Sequence, residues 1–151
     1  MVALTVLTAC GPSQYYGGTG LHDATRAEVS GVWENVEGTR VALREDGTAR
    51  VQRLDGQDFD FEDGWRLSGT GTWQLTDHDS GQEVKLALTA RTQVENRLPS
   101  TTGETPPPEP PSTYAWNFYV DRAQRDGLKL FFFYGDPDAG NTYLMSRVTA
   151  S

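Results

Sequence analysis

The stretch that most limits how this chain can fold is Leu128–Val148, LKLFFFYGDPDAGNTYLMSRV. Leu128–Tyr134 is apolar at every position but Lys129, Asp136–Gly140 carries Asp, Pro, Asp and Gly, and Tyr143–Val148 returns with alternating character. Turn residues between two β-prone runs mark a hairpin, because Pro presets φ, Asp bonds its own backbone and Gly accepts positive φ. Phe131–Phe133 places rings on both faces of one strand. That strand is expected to be buried on two sides or to lie against something else.

The rest of the chain repeats the theme. Alternation runs through Val41/Leu43, Trp73/Leu75, Val84/Leu86/Leu88 and Tyr114/Trp116/Phe118/Val120. Strands are predicted over Gly31–Asn35, Thr39–Glu45, Thr48–Leu54, Thr70–Thr76, Glu83–Thr92, Tyr114–Asp121, Leu128–Tyr134 and Thr142–Val148. Asp46-Gly47 between two alternating runs is the strongest short hairpin signal, and Asp77–Gly81, Arg125–Gly127 and Asp136–Gly140 are further turns. Ahead of the strands, Leu21–Val29 can hold a short helical turn, with Asp23 as its expected N-cap. Short strands with short joints and no long helix predict an all-β, single-domain antiparallel meander; closing it into a barrel removes the edges that invite aggregation. A β-sandwich is the alternative. Two joints are long: the acidic, aromatic Asp55–Gly64 and the Pro-rich 99–112, whose prolines resist helix and central strand alike.

At 151 residues one domain is the natural expectation, and Trp 4, Tyr 6 and Phe 6 supply bulky core material. A net charge of −8 disfavours nucleic acid, which needs a clustered basic face. The single Cys, Cys10, excludes an intramolecular disulfide. No catalytic, cofactor or metal set stands out, and an enzyme is not expected. His22 and His78 have no sequence partner suggesting a triad or zinc set; a hydrolase would need His78 beside a carboxylate and a nucleophile. Asp58–Gly64 invites a calcium reading, but Gly falls one place late and Gly69 stands where a closing Glu belongs.

Leu7-Thr8-Ala9-Cys10 resembles the lipobox that ends a bacterial lipoprotein signal peptide. The resemblance implies that residues 1–9 are a truncated signal peptide and that Cys10 is lipidated and becomes the N-terminus. Nine residues without Lys or Arg are short of a full signal, as when a start is set too far downstream. Residues 10–20 then read as the lipidated Cys and a flexible tether, with a coil reach of about 17–19 Å, ahead of a β domain over 21–151. The expected address is the outer face of the cytoplasmic membrane.

Gly31-Val32-Trp33 on the first strand and Arg147 on the last resemble the lipocalin and calycin signature. It implies that Trp33 plugs one end of a barrel and Arg147 stacks on it by a cation–π contact. Gly71-Thr72-Trp73 repeats G-x-W within the chain. Together with Gly135–Tyr143, these segments are similar to small lipoproteins of high-GC Gram-positive bacteria. That family brings no activity with it. An eight-stranded barrel has room for side chains or one small ligand. If it is hollow, Trp73, Trp116, Phe118, Phe132 and Tyr143 are the candidate pocket for a small apolar or amphiphilic molecule. If it is filled, those residues are core, and the loops, the Pro-rich one above all, would meet an envelope protein or cell-wall partner.

Overall fold

The computed structural model describes residues 17–97, 109–123, 127–135 and 141–148. A short helix, α1 (Arg26–Val29), precedes β1 (Gly31–Glu34), β2 (Arg40–Leu43), β3 (Thr48–Asp55), β4 (Trp65–His78), β5 (Gly81–Asn96), β6 (Tyr114–Ala123), β7 (Gly127–Tyr134) and β8 (Asn141–Arg147). Each strand pairs antiparallel with the next, and β8 returns to β1 through Trp33↔Arg147 and Glu34↔Ser146. The meander is a closed barrel. Closure excludes the sandwich, and it leaves the sheet no open edge.

Alternation does most of the building. Val41 and Leu43 of β2, Val84, Leu86 and Leu88 of β5 and Trp116, Phe118 and Val120 of β6 are all buried. Their neighbours in sequence face out, as period-two patterning requires. The Asp46-Gly47 turn forms as expected: Arg44 N–H donates to the Thr48 carbonyl at 2.9 Å, and the Asp46 carboxylate accepts from Thr48 N–H at 2.9 Å.

Two strands outrun their sequence limits. β4 starts at Trp65 instead of Thr70, and β5 continues to Asn96 instead of Thr92. The pairing between them survives Gly69 and Gly71, which break the apolar pattern, because register shifts after Ser68 and Thr70 absorb the mismatch. At Gly69 the backbones come so close that a Cβ would lie 2.1 Å from the Ala90 carbonyl oxygen. Only glycine fits there. The expected Asp77–Gly81 turn is also tighter, since Asp77 and His78 stay in β4 and a two-residue turn leads into β5.

The N-cap is Thr25, not Asp23. Its hydroxyl accepts from Glu28 N–H at 3.1 Å while the Glu28 carboxylate accepts from Thr25 N–H at 3.0 Å, a reciprocal capping box. Asp23 instead pairs with Arg122 at 3.0 Å. Of the expected tether only residues 17–20 are described, and its last two are fastened to the barrel. Thr19 donates to the Val120 carbonyl at 2.7 Å and Gly20 N–H to that of Ser80 at 2.8 Å. The lipobox with Cys10, most of the Pro-rich loop and the Asp136–Gly140 turn lie outside the described residues.

β7 is buried on its inner side and covered on its outer one. Phe132 is fully inside, while Phe131 and Phe133 lie on the outer wall in ring contact with Tyr119 at 5.4 and 5.8 Å.

Candidate functional site

The barrel has two differently built ends. At the helix end, the Trp33 indole is completely buried and donates to the Val29 carbonyl at 2.9 Å. The Arg147 guanidinium stands 5.7 Å from that ring and donates to the carbonyls of Glu28 and Ser30, tying β8 to α1. Gly31, at φ 136°, leaves the room that guanidinium needs; a Cβ there would lie 2.9 Å from Arg147 Nη2. The structure thus gathers Gly31, Trp33 and Arg147 into one plug. Arg26 extends it, covering the Trp73 ring at 4.6 Å and donating to the Glu45 carbonyl at 2.9 Å.

The candidate pocket residues fill the middle. Trp73, Trp116, Phe118, Phe132 and Tyr143 are each 3% exposed or less. Phe132 stacks on Tyr143 with centroids 4.6 Å apart, and Phe118 meets Phe132 edge-on at 5.2 Å. Trp73 and Trp116 flank Leu86 across β4, β5 and β6. A side chain lining a void large enough for a guest would leave part of its surface open to that void. These leave almost none, and both indoles are spent on backbone carbonyls, Trp73 on Arg44 at 2.6 Å and Trp116 on Asp55 at 2.8 Å.

At the far end lies a polar site that the sequence does not announce. Asp55 is fully buried and holds three partners. Arg97 donates to Oδ1 through Nε at 3.1 Å and Nη2 at 2.5 Å, the Tyr143 hydroxyl donates to Oδ2 at 2.7 Å, and Arg66 Nε lies 3.3 Å from Oδ2. Arg66 Nη2 donates to the Thr39 hydroxyl at 2.9 Å, which itself lies against the Tyr143 hydroxyl. Burial, then the Asp55 charge, pushes the Tyr143 phenol above its ordinary pKa, so it stays a donor. Burial works against the charge on Arg97, but its bonds to Asp55 outweigh that and hold its pKa up. Arg66 Nε is buried with no hydrogen bond of good geometry, so its burial is offset by the charge of Asp55 alone.

A cap of acidic loop covers this cluster. Phe59–Asp63 forms a 3-10 turn that lays Phe61 against Tyr134 at 4.2 Å and under the Arg97 guanidinium at 4.3 Å. Asp58 N–H donates to the Phe133 carbonyl and Gly135 N–H to that of Asp58, clipping the cap to β7. Tyr114 donates to Asp60 at 2.7 Å; burial and that carboxylate raise its pKa. Of the residues that invited a calcium reading, the Asp60 carboxylate accepts from Tyr114 and Asp58 is held through its backbone. Among the described residues, no three of His, Cys, Asp and Glu are gathered as metal ligands. His22 pairs with Asp77 at 2.6 Å and His78 lies 3.2 Å from the Thr76 hydroxyl.

Set against protein-family models, curated proteins and solved structures, the chain matches none.

Proposed function

We propose that this chain is a lipocalin-like barrel with a filled interior, held at the cell envelope by a lipid on Cys10, and that it works as an interaction module through the loops at its capped end. The observation that carries this reading is the packing of Trp73, Trp116, Phe118, Phe132 and Tyr143, whose faces are spent on one another and on core neighbours. Gly31, Trp33 and Arg147 meet in the manner the lipocalin signature implies, which favours that family likeness.

The polarity of the barrel gives the reading a direction. Thr19 and Gly20 join the barrel beside Val120 and Ser80, at the helix end. A lipid on Cys10 would therefore draw that end toward the membrane. The turn between β1 and β2 and the cap would face away, where a partner is met, and β5 ends on that side ahead of the Pro-rich segment.

Native mass spectrometry of the chain after exposure to a lipid extract of its host tests the interior. The bare polypeptide mass is expected. A reproducible adduct of ligand size would overturn the filled barrel and restore the aromatic pocket. For the loops, deletion of Thr101–Pro111 should abolish cross-linking to an envelope partner without lowering Tm, and unchanged cross-linking would move the contact elsewhere.

A further inference from the structure

Across β3, β4 and β5 the barrel wall is irregular three times over, with register shifts between Val51 and Leu54, after Ser68 and after Thr70. The shifts open a groove of about 350 Å³ on the outer wall. Its lining is polar: Arg50, Arg53, Gln52, Ser68, Thr92 and Glu95 are prominent in it.

Arg53 is held in the groove at some conformational expense. Its φ is 58°, in the left-handed region that non-glycine residues seldom adopt. Both of its peptide groups are clamped by side chains: its N–H donates to the Ser68 hydroxyl at 3.0 Å, and its carbonyl accepts from the Thr39 hydroxyl at 2.8 Å. Strain persists where the surroundings over-determine it, and such positions gather at binding sites. Glu95 then fixes the guanidinium through Arg53 Nε at 3.2 Å, leaving its other nitrogens directed elsewhere. The Arg50 guanidinium, by contrast, has no hydrogen-bond or ion-pair partner among the described residues.

Two guanidiniums against one carboxylate make this groove locally positive on a chain whose net charge is −8. Around them stand hydroxyl and amide donors, and no aromatic face for a sugar ring to stack on. We infer that this groove binds a phosphate ester. The fork of Arg50 takes the phosphate oxygens two at a time, the Arg53 nitrogens that Glu95 leaves open add donors, and the amides and hydroxyls hold the ester's alcohol portion. The volume exceeds what a bare phosphate needs, which is why an ester is the better fit.

The test is an amide NMR titration of the full 151-residue chain with sn-glycerol 3-phosphate, repeated with phosphatidylglycerol vesicles. Saturable shifts are expected at residues 50–53, 68–70 and 92–93 with the soluble ester. Arg50→Gln should weaken them about tenfold, since it removes a bidentate partner and nothing structural. Shifts seen only with vesicles would keep the site and assign its phosphate to a lipid headgroup. Shifts with neither ligand would overturn the inference. So would equal weakening by Arg40→Gln, because Arg40 lies outside the groove and is paired with Glu34 at 2.8 Å.

Discussion

The two ends of the barrel solve one problem with opposite chemistry. The helix end is closed by an indole, with Arg147 reaching in from the rim to satisfy backbone carbonyls. The capped end is closed by a buried carboxylate between two guanidiniums, a phenol and a hydroxyl. An apolar plug stabilises in proportion to the surface it hides, and it tolerates imperfect partners. A buried ionic cluster repays its desolvation only when every member is present, so its parts fail together. The helix end should therefore soften by degrees under mutation, and the capped end should break.

The largest effects test that contrast directly. Trp33→Ala should cost about 3–5 kcal/mol, by lost burial and the cavity left behind. Asp55→Ala should cost about as much, 3–5 kcal/mol, although it deletes far less volume, because it strands the buried Arg66 without its counter-charge and leaves Arg97 only the exposed Glu37, at 3.2 Å. Urea unfolding of both variants decides it; a loss under about 1 kcal/mol for Asp55→Ala, the level of an exposed ion pair, would erase the distinction between the ends. Next in size, Tyr143→Phe should lose about 1–2 kcal/mol, since it keeps the stacked ring and removes only the hydroxyl that serves Asp55. Thr25→Ala, which breaks the capping box above the helix end, should cost about 1 kcal/mol.

The smallest effect is a pH dependence confined to the cap. Desolvation, with Asp60 adding to it, raises the pKa of Asp58 above the ordinary carboxylate value. A raised folded-state pKa means that the favourable contribution is full in acid, below the unfolded value. It fades as pH climbs through the folded one. Asp58→Asn should flatten that slope and leave the protein slightly more stable at neutral pH, since it removes the charge and keeps the side-chain shape. Melting temperatures across an acid-to-neutral series read it out.

What could be read from the sequence follows the same divide. The strands and the Asp46-Gly47 turn were legible because alternation and turn chemistry are local, and Gly31, Trp33 and Arg147 because a signature links them. Thr25-Arg26-Ala27-Glu28 carried a capping-box pattern that the nearby Asp23 obscured. The capped end offered no such cue. Asp55 looks like one more acid in an acidic loop, Arg66 like a surface residue after a tryptophan, and Arg97 like a solvated charge before a Pro-rich stretch. They come from β3, β4 and the end of β5, and only the closed sheet brings them within bonding distance. Trp65–Gly69 escaped as a strand because bulges and glycines break the period that announces one.

The seam between β1 and β8 consists of two register pairs, reinforced by Val148 N–H on the Val32 carbonyl and the Asn35 side chain on that of Leu144. Every other junction joins strands that are neighbours in the chain, so it can zip as soon as its own hairpin forms. This one must wait for the whole meander, because its loop-closure entropy is repaid only at the end. The seam should thus close last, as a single stitch made after the rate-limiting step of folding. Substitutions at Trp33 or Arg147 should speed unfolding while barely slowing folding, making the plug a latch on the lifetime of the native state.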